Sequence, residues 1–269
     1  KVKAVADTDP RAVGFLKARD KGFLVTPDYN DFFKMDDIDL IIVATISPDM
    51  IFPSTTCVLQ RKIGAKNAVD FDISAACSGF PYALSVGAQF IQTGMYKNIL
   101  LVSAETLTHF VDWEDRSTCV LFGDGAGAAV IAPSDDENGL LSSYLGADGT
   151  YTDLLKIPAG GSHIPTTHTT IDERLHYLKM EGRDVFKIAV GMMSGAASEA
   201  LARAGLTIDD VDLLIPHQAN LRIIKAVSKK LGIPYEKVFV NVDRYGNMSG
   251  ATVIVGLCEA VQQGLVKKG

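Results

Sequence analysis

The feature that most limits the possible folds of this chain is an internal repeat. The segment DDIDLII at residues 36–42 recurs as DDVDLLI at residues 209–215. An amphipathic stretch follows each copy, LQRKIG at 59–64 and VSKKLG at 227–232, and an apolar run comes next. A spacing of about 170 residues is far longer than a solenoid period. The sequence therefore predicts two copies of one strand–helix–strand–helix unit, that is, a duplicated α/β fold.

Each copy then reaches a turn with a Ser-Gly pair, Cys77-Ser78-Gly79 in the first and Met248-Ser249-Gly250 in the second. A small-residue helix follows each turn and closes with Gln-x-Gly. A pseudo-two-fold axis would bring the two turns to a shared centre. The polar segment 133–138 is the best boundary, and we predict two halves, residues 1–137 with the cysteine and residues 138–269 with a histidine and an asparagine.

Hydrophobic periodicity gives a coarse assignment of the other elements. The predicted strands are 2–6, 37–45, 98–104, 209–215 and 238–242, and the predicted helices are 184–204, 220–231 and 252–265. The glycine cluster at 123–127 lacks the Lys-Ser/Thr of a phosphate loop and predicts a tight turn between strands. Residues 158–172, rich in Gly, Pro, Thr and His, predict a loop.

Composition places the chain among ordinary globular proteins. Of its 269 residues, 47% are hydrophobic and 22% are charged, and the net charge of −6 does not favour a nucleic-acid surface. The four cysteines, at positions 57, 77, 119 and 258, lack the spacing of a zinc site and favour a reducing compartment. No apolar run approaches the roughly 18 residues that cross a bilayer, and no signal peptide is visible. We therefore expect a cytoplasmic protein with no metal and no membrane segment.

Cys77 lies where an apolar strand gives way to a helix of small residues. A thiol at a helix N-terminus is close to unpaired N–H groups and to the positive end of the helix dipole. This setting predicts a lowered pKa and a nucleophilic thiolate. The alternative is a buried structural cysteine, because free cysteine is among the most buried residue types.

Two further residues occupy comparable positions at the ends of predicted strands. His217 follows the strand that Pro216 ends, and Asn247 lies just before the second Ser-Gly pair. Taken alone, His217 is interpreted as a core histidine and Asn247 as a turn residue before a helix. Because ligand sites of open α/β sheets lie at the carboxyl ends of strands, Cys77, His217 and Asn247 together predict one catalytic site.

Three segments resemble motifs of one enzyme family. AACSG at 75–79, PHQANLRI at 216–223 and GNMSGAT at 246–252 resemble β-ketoacyl-acyl carrier protein synthase III, a thiolase-fold condensing enzyme. The similarity extends from about residue 37 to the end of the chain. The resemblance implies a thiolase-like, internally duplicated αβαβα layered architecture.

The resemblance also implies a ping-pong acyltransferase reaction that initiates fatty-acid biosynthesis. Cys77 takes an acyl group, for which acetyl is expected, from acyl-CoA. Malonyl-acyl carrier protein then loses CO₂, and its carbanion attacks the acyl thioester. No cofactor is implied, because acyl-CoA and the malonyl group on phosphopantetheine are substrates.

Decarboxylation needs hydrogen-bond donors where negative charge develops on the malonyl thioester oxygen. His217 and Asn247 can both supply N–H groups there, and a general base is the competing role for His217; the sequence leaves both roles open. Phe52 matches the family's residue that reaches across a homodimer to shape the acyl pocket. Together with Cys77, these three residues constitute the predicted acyl-transfer machinery.

Arg222, Lys229 and Lys230 lie on the predicted helix after His217. On an acidic protein, this local basic patch suits an acidic carrier protein and the phosphopantetheine phosphate. A solvated helix face is the alternative interpretation. The predicted partners are acyl carrier protein, acyl-CoA and a second copy of the chain.

Two regions depart from the family pattern. Residues 1–36 resemble part of a nucleotide-binding module, with Asp7 in the ribose-binding position but without the preceding glycine fingerprint. The family's C-terminal strand and glycine-rich loop have no counterpart before Gly269. We therefore expect a fragment, a fusion or a diverged member of the family.

Three alternative functions stay open at this point. The first is a related enzyme that condenses acyl-CoAs in polyketide or hydroxymethylglutaryl-type chemistry. The second is a truncated, non-catalytic thiolase-fold protein that binds acyl carrier protein. The third is a dinucleotide-dependent oxidoreductase, which rests on the first 45 residues alone.

Overall fold

The structure is a computed structural model that describes residues 4–6, 24–26, 38–134 and 139–266. Two short strands, β1 (Ala4–Ala6) and β2 (Leu24–Thr26), pair in parallel. Asp7 and most of the predicted boundary segment lie outside the described residues.

The main sheet has four strands in the order β4-β3-β5-β6. They are β3 (Leu40–Ala44), β4 (Val69–Ile73), β5 (Ile99–Thr106) and β6 (Asp124–Ile131). β4, β3 and β5 are parallel, and β6 is antiparallel to β5. All five residues of β3 are buried, as expected for a strand covered on both faces.

The helices are α1 (Thr55–Ile63), α2 (Gly79–Gln92), the short α3 (His168–Asp172), α4 (Gly182–Arg203), α5 (Leu221–Leu231), the short α6 (Val242–Tyr245) and α7 (Ala251–Gln262). A minor antiparallel pair consists of β7 (Leu155–Lys156) and β8 (Lys179–Met180). The ends of α5 follow from local chemistry. Asn220 accepts the Ile223 N–H at 2.9 Å, and Gly232 adopts the left-handed conformation that ends a helix.

The core has one layer on each face of the sheet. One layer joins Leu40 and Ile42 of β3 to Phe80 of α2 and Ile254 of α7. The other places Ile41 and its neighbours against α1. α2 and α7 pack on the same face of the sheet, and their N-terminal ends lie next to each other. The candidate site lies at these two helix ends.

The predicted turn at 123–127 is wrong. Its glycines lie at the start of β6 and just before it, and they are required for close packing rather than for a turn. A Cβ on Gly125 would lie 2.2 Å from the Met248 sulfur, and one on Gly127 would lie 2.8 Å from Ile254. The missing side chains therefore let α7 and the turn before it contact the strand directly.

The strands predicted at 209–215 and 238–242 are also largely wrong. Residues 208–210 form a 3₁₀ turn, and the two segments pair through a single parallel bridge, Leu214 to Val238. Beyond that bridge, Val242 begins α6. An apolar run becomes a strand only where a neighbouring strand supplies a ladder. In the predicted loop 158–172, the last residues form α3.

By length and composition alone, α4 is long and apolar enough to cross a membrane. The sequence analysis expected no segment long enough to span a membrane, and α4 does not meet that expectation. In this structure the helix is exposed or half-buried along most of its length, with 6% of its apolar stretch buried. Here α4 contacts α5 and lines the cavity described below.

Candidate active site

Cys77 lies in a one-turn 3₁₀ helix, Ala76–Ser78, between β4 and α2. Ala76 has φ 44°, in the left-handed region that non-glycine residues rarely adopt. Ser249, in the second predicted turn, has φ 46°. Backbone of this kind persists only where the surrounding contacts hold it, and it is frequent at functional sites.

The two turns meet, as the repeat predicts. A Cβ on Gly250 would lie 2.9 Å from the Ala76 carbonyl oxygen, and one on Gly79 would lie 3.6 Å from the Gly250 Cα. The Ala76 carbonyl leaves no room for a side chain at Gly250, and the Ala44 Cβ, 2.9 Å from a Cβ on Gly79, leaves none at Gly79. The contact between the turns brings Ser249 against Cys77, although the two residues are far apart in the sequence.

A cavity of about 470 Å³ opens onto Cys77 and also onto His217. Its walls are mostly apolar and come from α2, α4, α5 and the loop at 144–147. The side chains that define them are Pro81, Tyr82, Tyr144, Leu145, Met192, Met193, Val227 and Leu231. An apolar cavity with few polar groups is typical of a small-molecule site.

Burial raises the pKa of the Cys77 thiol to about 11. The nearby Ser249 hydroxyl opposes this shift, and the charge of the buried Glu105 carboxylate adds to it. The expectation of a lowered pKa from the helix N-terminus is therefore wrong in this structure. At neutral pH Cys77 is a thiol, and a proton acceptor is needed when it attacks.

His217 contacts Thr252 through Nδ1, which lies 2.7 Å from the Thr252 hydroxyl oxygen. Burial lowers the pKa of the imidazole to about 4, against a smaller opposing effect of a hydrogen bond to the Ser249 backbone. The ring is therefore neutral at physiological pH. The Thr252 contact occupies Nδ1, so Nε2 is the ring nitrogen that can serve a substrate or a thiol.

Asn247 is fixed through both its backbone and its side chain. Its N–H donates to the Leu121 carbonyl at 2.9 Å, and its carbonyl accepts from the Gly123 N–H at 3.0 Å. Its Oδ1 accepts the Ser249 N–H at 2.9 Å. Because Oδ1 is engaged, Nδ2 is the end of the amide with N–H groups to offer.

The other predicted residues lie outside the cavity. Phe52 is 86% exposed in the loop before α1. Arg222, Lys229 and Lys230 are exposed on α5, and Arg222 stacks 5.6 Å from the centre of the Phe186 ring. A single copy of the chain thus brings Cys77, His217 and the Asn247 turn together, but not these four.

Two family models match the chain. Residues 71–149 match 3-oxoacyl-[acyl-carrier-protein] synthase III, and residues 201–269 match the C-terminal part of the same enzymes. The β-ketoacyl-[acyl-carrier-protein] synthase III of Caldanaerobacter subterraneus subsp. tengcongensis is 55% identical over 236 residues, which cover 88% of this chain and 71% of the relative. The chain belongs to the β-ketoacyl-acyl carrier protein synthase III family.

Solved structures of the family have the same fold. The synthase III of Aquifex aeolicus matches with a TM-score of 0.79 and 47% identity, covering 87% of this chain and 71% of that one. The priming β-ketosynthase of the R1128 polyketide pathway matches with a TM-score of 0.76 and 38% identity, covering 87% and 69%. The predicted thiolase-type fold is confirmed, and the chain is a condensing acyltransferase of fatty-acid biosynthesis, as the resemblance implied.

Sequence reasoning missed three polar residues of this synthase III site. Ser249 contacts Cys77, Thr252 contacts His217, and Glu105 is a buried carboxylate that acts electrostatically on Cys77. Glu105 also accepts hydrogen bonds from the segment after β3, including one of 2.6 Å from the Ser47 hydroxyl. Ser249 and Thr252 lie within the GNMSGAT motif, so the sequence could have identified them. No sequence motif identifies Glu105, because its carboxyl group is unusual only in being buried.

The lowered pKa of His217 predicts a pH-dependent loss of stability. In the unfolded chain the imidazole has a pKa of about 6.5. Below that pH the unfolded state therefore binds a proton that the folded state excludes until about pH 4. Stability is then lost as the pH falls through this window, by about 2 kcal/mol at pH 5. Urea unfolding at pH 7.5 and 5 should show a smaller decrease for His217→Gln, and equal decreases would contradict the prediction.

Proposed function

We propose that this synthase III member condenses an acyl-CoA primer, acetyl-CoA in the first instance, with malonyl-acyl carrier protein through a thioester on Cys77. The observation that carries the proposal is the single cavity that Cys77 and His217 share, with the Asn247–Ser249 turn packed against the cysteine. A nucleophile and a neutral imidazole meet there in a largely apolar space. Such an arrangement suits covalent acyl transfer.

In the first half-reaction, the Cys77 sulfur attacks the acyl carbonyl carbon of acyl-CoA. The raised pKa means that the thiol proton must leave as the new C–S bond forms. His217 Nε2 is the proposed acceptor, because the ring is neutral and Thr252 occupies Nδ1. The proton then passes to the departing CoA sulfur as its C–S bond breaks.

In the second half-reaction, the bond from the malonyl α-carbon to its carboxylate breaks and CO₂ leaves. The electron pair moves towards the thioester oxygen, where Asn247 Nδ2 and an N–H at His217 Nε2 act as donors. The carbanion attacks the acyl carbonyl carbon on Cys77. The C–S bond to Cys77 breaks, giving the β-ketoacyl product, and the departing thiolate takes up one proton from solvent.

The exposed face of α5 is the proposed docking surface for acyl carrier protein. Arg222 and Lys229 are exposed, two turns apart on one side of this helix, and Lys230 is exposed beside them. The chain has a net charge of −6, so this concentration of positive charge is local. It complements an acidic carrier protein and a phosphate group.

A homodimer is the proposed assembly. Ile51 is 90% exposed and Phe52 86% exposed in the loop before α1, and Val69 on the adjacent edge strand β4 is 51% exposed. Exposed apolar side chains beside an unpaired strand edge are typical of a surface that another chain covers. In the dimer, Phe52 would reach the acyl pocket of the partner subunit.

A cytoplasmic location and a reaction without a cofactor complete the proposal. All four cysteines are free thiols, as a reducing compartment requires. The two half-reactions above use this chain's own residues and the substrates alone.

The test is intact mass after mixing the protein with acetyl-CoA, followed by a chase. An added acetyl group that malonyl-acyl carrier protein removes, with release of a β-ketoacyl product, is expected. Acetoacetyl-CoA should not serve as the second substrate. If it does, the hydroxymethylglutaryl-type alternative replaces the proposal; if no acyl-CoA acylates the folded protein, the non-catalytic alternative does.

The same chase experiment also distinguishes docking of the carrier protein from the chemical step, when malonyl-acyl carrier protein and malonyl-CoA are compared. Arg222→Glu should slow removal of the acetyl group by malonyl-acyl carrier protein more than removal by malonyl-CoA, which shares the phosphate groups but lacks the acidic protein surface. The similarity to a polyketide priming synthase makes that carrier protein the second candidate. Faster chase by a polyketide carrier protein than by a fatty-acid one would favour it.

A further inference from the structure

Thr252 is the side chain that holds the candidate catalytic histidine. It lies in the first turn of α7 and is fully buried. Its hydroxyl oxygen is 2.7 Å from His217 Nδ1 and 2.9 Å from the Ser249 carbonyl oxygen, to which it donates. A hydroxyl group has one proton to give, and its oxygen can accept as well.

The position of this single proton is linked to the tautomer of the ring. When the hydroxyl donates to Ser249, its oxygen can accept from Nδ1–H, and Nε2 is then an unprotonated acceptor. When the hydroxyl rotates and donates to Nδ1, the ring proton is on Nε2, which is then a donor. The Ser249 N–H does not compete for Nδ1, because it donates to Asn247 Oδ1.

The two half-reactions proposed above require these two different forms. Acyl transfer to Cys77 needs an acceptor at Nε2, and malonyl decarboxylation needs a donor there. Resting on that proposed function, we propose that Thr252 is a positioning residue whose rotating hydroxyl allows His217 to carry its proton on Nε2 for the decarboxylation step. Thr252 acts through the imidazole and touches neither substrate.

Without the Thr252 hydroxyl, we expect only one tautomer of His217 to keep a hydrogen-bond partner at Nδ1. In Thr252→Val, which keeps the shape of the side chain, the Ser249 backbone carbonyl that accepted from the hydroxyl, and whose residue hydrogen-bonds the imidazole through its backbone, is the polar partner that the variant leaves for Nδ1. A carbonyl accepts and cannot donate, so it favours the ring with its proton on Nδ1. Nε2 then stays an acceptor, which suits acyl transfer and not decarboxylation.

The experiment compares the two half-reactions in wild type, Thr252→Val and Thr252→Ser. Acetylation of Cys77 by acetyl-CoA is followed by intact mass in single turnover. The isolated acetyl-enzyme is then mixed with malonyl-acyl carrier protein, and CO₂ release and loss of the acetyl group are timed. For Thr252→Val we expect condensation to fall about ten- to hundredfold and acetylation to stay within about threefold of wild type. Thr252→Ser, which keeps the hydroxyl, should behave as wild type in both steps.

Each other outcome overturns the inference. Equal losses in both steps would indicate general misplacement of the ring, and a matching loss in Thr252→Ser would indicate a packing effect of the missing methyl group. An unchanged Thr252→Val would show that the hydroxyl is dispensable. Failure of wild type to acetylate is a different result, because it refutes the proposed function itself.

A spectroscopic measurement tests Thr252 independently of turnover. In protein with ¹⁵N-labelled histidine, long-range ¹H–¹⁵N spectra report which ring nitrogen carries the proton. His217 in wild type and in Thr252→Ser should show shifts averaged between the two tautomers, and folded Thr252→Val should show the Nδ1–H form alone. Identical His217 spectra in all three proteins would overturn the inference.

Discussion

Replacement of Cys77 by alanine should abolish acetylation completely and reduce condensation by about three orders of magnitude or more. The sulfur is the one group at the junction of the two turns that can form the thioester, and the cavity opens directly onto it. Intact mass after acetyl-CoA treatment is the direct measurement. Far-UV circular dichroism should be unchanged, because Cys77 is only half-buried in a short turn.

Two other cysteines supply matched controls for this result. Burial also raises the pKa of Cys258, on α7, to about 11, and Cys57 is exposed on α1. Neither lines the cavity, so Cys258→Ala and Cys57→Ala should take up one acetyl group as wild type does. An acetyl group that persists in Cys77→Ala would place the nucleophile elsewhere and contradict the assignment.

Replacement of Gly123 by alanine is expected to cost about 3 kcal/mol or more of unfolding free energy. A Cβ at this position would lie 2.1 Å from the Tyr245 carbonyl oxygen, a backbone atom that cannot rotate away. The Gly123 N–H also donates to the Asn247 carbonyl, so any outward shift moves the turn that carries Asn247. Urea unfolding gives the stability, and the malonyl chase gives the effect on the site.

Gly161→Ala is the control for the Gly123 change. A Cβ on Gly161 meets no atom within 4 Å, and its backbone is not in the left-handed region. Its unfolding midpoint and chase rate should match wild type. A Gly123→Ala protein as stable as this control would show that β6 and the Asn247 turn are not in the contact described.

The repeat predicted that the turns at Cys77 and at Ser249-Gly250 would meet, and the structure has this contact, while the catalytic roles of Cys77, His217 and Asn247 stay predictions. α5 could be predicted as well, from its period and its Asn220 and Gly232 caps. The pKa of Cys77 could not, because the local helix dipole favours a low value while burial by a segment distant in sequence favours a high one. Burial in the folded structure decides in favour of the high value.

The glycines of β6 misled the sequence interpretation for a similar physical reason. Glycine breaks regular structure locally, so a cluster of glycines predicts a turn. Here the same residues continue a strand because Met248 and Ile254 occupy the space that their side chains would fill. The residues that fill this space are distant in the sequence, so the residues next to the glycines do not predict the contact.

The backbone contact between Gly79 and Gly250 has a consequence for how the chain acquires activity. The residues that carry the chemistry come from widely separated stretches, and the loop that joins them must close before they meet. Contacts of such long range form late in folding, after local helices and hairpins. We therefore expect acylation of Cys77 to require the completed fold: a protein with its full helical content but with the two turns apart should take up no acyl group.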